Sequence, residues 1–175
     1  GTLAPFYPLV GWYYSPAYFL FGAHLADLTG VGIHTVMLGF SHILSLGVIA
    51  GIGALGSRLG GRSSGWWAAI AAAGGVALFT TLMDSAYTNI FGMWMTTTFM
   101  WMLGEALRGG KRRDILLAGM CLSAVLLSHP DSILHLLLAY VLFYISAFFV
   151  RPRFSLAQYF RLTVMIPALG LLFSL

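Results

Sequence analysis

Histidine and aspartate side chains stand close together at one turn of this sequence, His129-Pro130-Asp131-Ser132. Asp131 precedes His135 by four residues, so on a helix the two share one face and the carboxylate can orient the imidazole. His129 then stands at the apex of the turn, as a candidate general base or phosphate contact. The sequence therefore predicts His129 and Asp131 as catalytic residues and His135 as a substrate-binding residue. The competing interpretation is that Asp131 only caps its helix.

Two further polar sets have the composition of a binding cavity. Asp84 and Asn89 bound a polar turn, where the carboxylate is a third candidate catalytic group and the amide a substrate contact, or where both cap helices. His24 and Asp27 stand three residues apart on a predicted helix and are assigned to substrate binding, with the same structural alternative. No H-x-x-x-H or H-E-x-x-H spacing is present in the sequence, so no residue is assigned to a metal.

The composition indicates the medium in which these groups must work. Of the 175 residues, 59% are apolar and 8% are charged, whereas about 25% of the residues in an ordinary soluble domain are charged. A chain of this length needs many more polar residues to cover its surface in water. The composition excludes a soluble enzyme, a disordered chain and a nucleic-acid-binding module, and it predicts the lipid bilayer as the partner of this surface.

Long apolar stretches predict an all-α, polytopic helical membrane protein. About 20 apolar residues, at ~1.5 Å each, cross a bilayer as a helix. A truncated last span is expected to begin at residue 162. About five complete spans are expected before it, at 31–56, 66–83, 91–107, 115–128 and 132–150. These stretches lack the alternation of polar and apolar residues that a membrane β-barrel requires.

The basic residues predict the orientation. All nine Lys and Arg residues fall in three alternate loops, 57–65, 108–114 and 151–161. By the positive-inside rule these loops face the cytoplasm, and the protein is expected in the plasma membrane as a multi-pass protein. The candidate site residues then lie toward the outer face. On the inner side, Glu105 is expected to pair with Arg108, and Asp114 to cap a helix that begins at Ile115.

The chain is expected to form a single transmembrane helical domain over residues 1–175, with an interfacial segment at the outer face over residues 1–30. Aromatic residues crowd this segment, which favours a helix lying in the interface over a short span. The chain has no initiating Met and stops inside the apolar run 162–175, so it is expected to be a fragment of a longer protein.

Two other patterns are interpreted as packing features. Gly47 and Gly51 form a Gly-x-x-x-Gly spacing, which is typical of closely packed membrane helices. Trp94 and Trp101 each stand between two methionines. Such a cluster is more typical of a bundle core or a lipid-facing surface than of a cofactor pocket.

The order of motifs in the first part of the chain resembles that of a known superfamily. Pro5-Phe6-Tyr7-Pro8, the pair Tyr13-Tyr14 and a Ser-Pro lead into the interfacial helix, and the following Gly-rich span ends in Gly-Ser-Arg-Leu-Gly-Gly-Arg at 56–62. Over roughly residues 5–150 this layout resembles the polytopic membrane glycosyltransferases of the GT-C superfamily. Within it, the likeness is to the prokaryotic membrane proteins described as pyruvoyl-tetrahydropterin-synthase-related membrane domains.

The resemblance implies a polyprenyl-phosphate-linked sugar donor, an acceptor reached from the outer face, and an inverting transfer assisted by a carboxylate. In the family that carboxylate follows the first span, and it corresponds to no residue of this sequence. A base must deprotonate the acceptor hydroxyl, and the departing phosphate must be stabilised. Because the predicted outer side carries no Lys or Arg, histidine or a divalent metal ion held by aspartate would have to stabilise the phosphate.

Two alternatives stay open. A non-enzymatic structural or accessory subunit of a larger membrane complex would fit the Gly-rich and aromatic surfaces, with other membrane subunits as its partners. A transporter fits less well, because His42 is the only ionisable residue near the middle of a predicted span. A preceding span followed by a long outer loop with an aspartate would favour the enzyme.

Cysteine labelling tests the predicted orientation. In a background with Cys121→Ala, the variants Ser85→Cys and Ser132→Cys should react with a membrane-impermeant maleimide added to intact cells. Ser63→Cys should react only after permeabilisation, because residue 63 belongs to a loop on the cytoplasmic side. Labelling of Ser63→Cys in intact cells would reverse the whole orientation.

Overall fold

The computed structural model describes residues 2–3, 7–11, 17–75, 78, 87–128, 130–149 and 154–175. These residues are helical apart from a short antiparallel hairpin of β1 (Thr2–Leu3) and β2 (Tyr7–Gly11), which the apolar pattern did not predict. The helices are α1 (Ala17–Thr29), α2 (Ile33–Gly60), α3 (Arg62–Ala73), α4 (Tyr87–Gly109), α5 (Arg112–Ser128), α6 (Pro130–Phe149), α7 (Leu156–Phe160) and α8 (Ile166–Ser174).

Two stretches of described helix are long and apolar enough to cross a membrane, by length and composition. They are α2, with 28 residues and a hydropathy of 1.9, and the stretch Leu156–Ser174, with 19 residues and a hydropathy of 1.5. Only 22% and 17% of the most apolar 18-residue stretch in each is buried, whereas the core helix of a soluble protein is mostly buried. The first expected span and the expected last span therefore meet this criterion.

The other expected spans fall short for identifiable reasons. α4 has 23 residues, but three consecutive threonines at 96–98 and a charged last third lower its hydropathy. α5 has only 17 residues and opens on two arginines and an aspartate. α6 has 20 residues, of which Leu136–Ile145 is the apolar stretch that can be assessed from the described side chains. The expected span 66–83 is described only to residue 75 and at residue 78.

The connections at two of the basic loops are much shorter than predicted. α2 and α3 are separated by Gly61 alone, at a φ of 84°. α4 and α5 are separated by Lys111 and by Gly110, which has a φ of 60°. Glycine adopts a positive φ at no steric cost, so the chain can reverse within one or two residues. Helix α7 begins at Leu156, inside the third predicted loop and before the predicted start of the last span at residue 162. Most residues of the three predicted loops therefore lie in helices.

Glycine allows α2 to pack closely against two neighbours. Toward α3, a Cβ added to Gly53 would lie 3.0 Å from the Cβ of Ala69. Toward α4, a Cβ added to Gly47 would lie 2.9 Å from the Trp94 ring, and Gly51 faces the same helix. The packing interpretation of Gly47 and Gly51 is therefore confirmed, and α3 runs antiparallel to α2 while α4 runs parallel to it.

A second region of packing joins α4, α5, α6 and the last helix. Phe99 of α4 stacks on Tyr140 of α6, with 6.2 Å between ring centroids. Gly119 of α5 lies against Leu169 of α8, which brings these two helices close together. The buried members of this cluster are Phe99, Leu103, Ala106, Leu107, Ile115, Ala118, Leu122, Val125, Leu136, Leu162 and Ile166.

A π-helical turn, Arg161–Met165, joins α7 to α8 without a break. The N–H of Ile166 donates to the carbonyl of Arg161, five residues back, and so leaves the carbonyl of Leu162 without its α-helical donor. The next residue, Pro167, has no N–H to give to Leu162. The Tyr140 hydroxyl of α6 donates to this carbonyl instead, so a group orphaned by the proline is satisfied by a neighbouring helix.

Removing the Tyr140 hydroxyl should leave the buried carbonyl of Leu162 unpaired. Tyr140→Phe is expected to lower the free energy of unfolding by about 1–3 kcal/mol, the usual cost of an unpaired buried acceptor. In a Pro167→Ala background the restored N–H can reach that carbonyl, so the same substitution should cost less than about 1 kcal/mol. Denaturant titration of all four proteins in detergent micelles measures both costs, and equal costs in the two backgrounds would contradict the explanation.

Candidate functional site

The described basic residues lie at one end of the helix bundle, called here the basic end. They are Arg58, Arg62, Arg108, Lys111, Arg112, Arg113 and Arg161. An ion pair between Arg58 of α2 and Glu105 of α4 joins two of the helix ends. The start of α7 contacts the same end of α4, where the Nε2 of Gln158 donates to the carbonyl of Leu107 at 3.0 Å. The opposite end of the bundle is called the polar end.

The charged contacts at the basic end differ from those predicted. Glu105 pairs with Arg58 of another helix rather than with Arg108 of its own. Asp114 lies inside the first turn of α5, which begins at Arg112, and its carboxylate is 3.2 Å from the Nε of Arg113. Spacing within one helix revealed neither arrangement, because the first depends on how two helices align and the second on where a helix begins.

Helix α1 packs against the polar end of the bundle, and Tyr18 is its anchor. The Tyr18 side chain is fully buried, its hydroxyl donates to the Met37 carbonyl at 2.7 Å, and that hydroxyl lies 2.7 Å from the Ser41 hydroxyl. The Tyr18 ring lies 5.8 Å from that of Phe40 and 6.1 Å from that of Phe91, between centroids. Burial raises the pKa of the Tyr18 phenol, and the Ser41 hydrogen bond offsets part of that rise. The helix predicted within residues 1–30 is therefore present.

Three of the predicted site residues have described side chains. His24 and Asp27 on α1 are exposed. Asn89, near the start of α4, is half-buried, and its Oδ1 is enclosed without a hydrogen-bond partner in the described part of the chain. Helices α1 and α4 contact each other at Tyr18 and Tyr87, whose ring centroids lie 6.4 Å apart. The three predicted site residues therefore belong to helices that adjoin at the polar end. An enclosed acceptor without a donor costs about 1–3 kcal/mol, and a ligand hydroxyl reaches this oxygen only when the side chain turns toward the surface.

The remaining predicted site residues are described in part or not at all. Asp131 and His135 lie in the first two turns of α6, which begins two residues after α5 ends, but their side chains are outside the described part. Asp84 and His129 lie outside the described residues altogether. The expected convergence of Asp84 with His129 therefore stays a prediction. Among the residues described, no group of three or more His, Cys, Asp or Glu side chains could hold a metal ion.

A lateral groove opens between α2 and α4 and was not predicted from the sequence. Its volume is about 340 Å³, and it is lined by Gly47, Ala50, Gly51, Ala54, Trp94, Thr97, Thr98 and Trp101. The small residues of α2 form its floor because they bring the helices close and leave no side chain to fill the space. The two patterns that build it were visible in the sequence, but their alignment required the parallel pairing of α2 with α4.

No family model, no curated protein and no solved structure matches this chain. The likeness to GT-C glycosyltransferases therefore rests on the sequence motifs alone.

Tyr18→Phe should loosen the docking of α1. Because Ser41 also donates to the Met37 carbonyl, no acceptor is left unpaired, and a loss of about 1 kcal/mol in the free energy of unfolding is expected. The folded protein keeps the phenol neutral above its ordinary pKa of 10.0, whereas the unfolded chain ionises it. The stabilisation by Tyr18 relative to Phe is thus full below pH 10 and lost as the pH rises further.

Denaturant titrations of both proteins at a series of pH values measure this difference. The Tyr18→Phe protein retains every other tyrosine, so the pH dependence of the difference between the two proteins reports the ionisation of Tyr18 alone. A constant difference through the alkaline range would contradict the assignment of the buried hydroxyl.

Proposed function

We propose that this chain is a polytopic membrane domain that crosses the plasma membrane with its basic end in the cytoplasm. The separation of charge along the bundle carries this proposal, because every described Lys and Arg lies at the basic end while His24 and Asp27 lie at the other. Positive charge at one end of apolar helices is the usual mark of the cytoplasmic side. The two long, apolar and mostly unburied helices support the crossing itself.

The activity we propose at the polar end is glycosyl transfer of the GT-C type from a polyprenyl-phosphate-linked sugar at the outer face. Asp131 orients His135 on one face of α6, and His129 removes the proton from the acceptor hydroxyl. Asp84 completes the catalytic set. The position of Asp131 and His135 in the first turns of α6, beside the polar end of α5, supports this assignment.

Substrate binding in this proposal falls to Asn89, His24 and Asp27. The unpartnered Oδ1 of Asn89 supports the assignment, because a sugar hydroxyl would satisfy this acceptor at little desolvation cost once the side chain turns toward the surface. The polar end has no Lys or Arg among the described residues. The departing phosphate is therefore stabilised by histidine or by a divalent metal ion held by aspartate, and His24 and Asp27 are exposed groups of that chemistry.

A second candidate function is a non-enzymatic accessory subunit, which one observation favours. A row of large apolar side chains on α6 is exposed: Ile133, Leu134, Leu137, Leu138, Val141, Ile145 and Phe149. Their spacing follows the helical repeat, so most of them fall on one stripe of the helix. Such a stripe suits another membrane helix as well as lipid.

Substitution of the proposed base tests the enzymatic assignment. His129→Ala in the full-length protein should lower sugar transfer by about 10²–10⁴-fold, the usual contribution of a general base. Asp131→Asn should have a smaller effect in the same direction, because it only weakens the orientation of His135. Transfer is measured in membrane vesicles supplied with radiolabelled polyprenyl-phosphate-linked hexoses.

His34→Ala is the matched control, because His34 is an exposed histidine in the first turn of α2, at the same end of the bundle. It should leave sugar transfer unchanged. Unchanged transfer in His129→Ala would leave Asp131 with its capping role alone. Purification of the protein in a stable complex with another membrane protein, with no transfer by either, would favour the accessory subunit.

A further inference from the structure

The wall of the groove between α2 and α4 is mostly apolar. Thr97 and Thr98 line it, but their hydroxyls donate within α4, to the carbonyls of Met93 at 2.8 Å and Trp94 at 2.9 Å. The α2 side carries only glycine and alanine. The polar groups that remain are the threonine oxygens and the indole N–H groups of Trp94 and Trp101, so a strongly polar occupant would lose more hydrogen bonds to water than it regains, and the groove favours a hydrocarbon.

The shape of the groove also favours a thin, flexible occupant. Trp94 and Trp101 are seven residues apart on α4, about two helical turns or ~10 Å along the axis, and both line the groove. Its volume of about 340 Å³ lies at the lower limit of the roughly 300–1,000 Å³ usual for small-molecule sites. A single hydrocarbon chain is thin and flexible enough to follow a groove of this size.

The basic end of the groove carries an incompletely satisfied cation. The guanidinium of Arg58 lies 4.4 Å from the ring centroid of Trp101, one of the lining residues. Its Nη2 pairs with Glu105, whereas its Nη1 is enclosed without a hydrogen-bond partner in the described residues. The seven described Lys and Arg side chains at this end outnumber its two carboxylates, Glu105 and Asp114, so its net charge is positive.

We propose that this groove binds one hydrocarbon chain of an anionic phospholipid of the cytoplasmic leaflet, with the lipid phosphate at Arg58. An apolar groove that ends beside a guanidinium with one unpartnered nitrogen matches a molecule with a hydrocarbon chain and a phosphate at one end. The lipid site depends on membrane crossing and not on glycosyl transfer, since it lies at the opposite end from the proposed catalytic residues.

Tryptophan fluorescence gives a direct test, because bromine on a lipid chain quenches only the indoles that it contacts. Trp12, Trp66 and Trp67 are each replaced by Phe, so that Trp94 and Trp101 supply the signal. The full chain is reconstituted into bilayers containing either dibromo-phosphatidylglycerol or dibromo-phosphatidylcholine. The anionic lipid should reach half-maximal quenching at a roughly fivefold lower mole fraction, which corresponds to ~1 kcal/mol for one basic residue.

Charge variants test the phosphate contact. Arg58→Gln should abolish the fivefold preference, while Arg112→Gln, which removes an exposed arginine at the same end, should keep it. Glu105→Gln frees Arg58 from its ion pair and should increase the preference. Glu105→Gln therefore tests the phosphate contact at Arg58 even where Arg58→Gln does not fold.

Volume variants test the groove itself. Ala54 is an exposed floor residue, so Ala54→Leu should fill the groove and reduce quenching by both lipids. Ala71→Leu adds the same side chain at an exposed position of α3 and should change nothing.

Three results would overturn the proposal. Equal quenching by the two lipids would mean that no anionic headgroup is selected. Unchanged quenching in Ala54→Leu would mean that lipid contacts the tryptophans elsewhere. Protection of both tryptophans from either lipid, in a protein that is dimeric by mass, would assign the groove to a second copy of the chain.

Discussion

Close contact between helix backbones at the glycines of α2 is the constraint on which the rest of this structure depends. In the membrane location that we propose, helices gain nothing from burying apolar surface against one another, so close van der Waals contact and polar bonds hold them together. Gly53 meets α3 on one side, and Gly47 and Gly51 meet α4 on the other. This approach aligns Arg58 with Glu105 and leaves the lateral groove beside them. One helix therefore determines both the ion pair and the cavity.

At the polar end the same helix holds α1 through a hydroxyl rather than through glycine. Tyr18 places a phenol oxygen within 2.7 Å of both the Met37 carbonyl and the Ser41 hydroxyl. Ser41 also donates to the Met37 carbonyl, so the three oxygens all lie within hydrogen-bonding distance of one another. Because α1 is short and carries the exposed His24 and Asp27, this contact determines where those two groups lie relative to the bundle.

The sequence predicted the features that depend on local composition. The apolar run that became α2, the helix within residues 1–30 and the packing role of Gly47 and Gly51 were all readable from residue type and spacing. The pairing of Glu105 was not, since three-residue spacing suggested Arg108 and only the alignment of two helices reveals Arg58.

The local geometry at the start of α8 could not be predicted from the sequence either. Pro167 within an apolar run signals a disturbed helix, but the π-helical turn and the hydroxyl of Tyr140 at the Leu162 carbonyl follow from which helix packs there. For the candidate site, residue type suggested substrate contacts at His24, Asp27 and Asn89, and this assignment stays a prediction. Residue type could not show that the amide oxygen of Asn89 is enclosed, because enclosure depends on neighbouring elements.

The very short connections at the basic end have an electrostatic consequence. There α2 and α4 end while α3 and α5 begin, with only one or two residues between them. The aligned peptide dipoles place about half a negative charge at each C-terminus and about half a positive charge at each N-terminus. These partial charges lie side by side and cancel in pairs, so the backbone contributes little field at this surface. The charged side chains then set its potential, and the seven described Lys and Arg residues outweigh Glu105 and Asp114, so this surface is positive without any contribution from the helices that carry them.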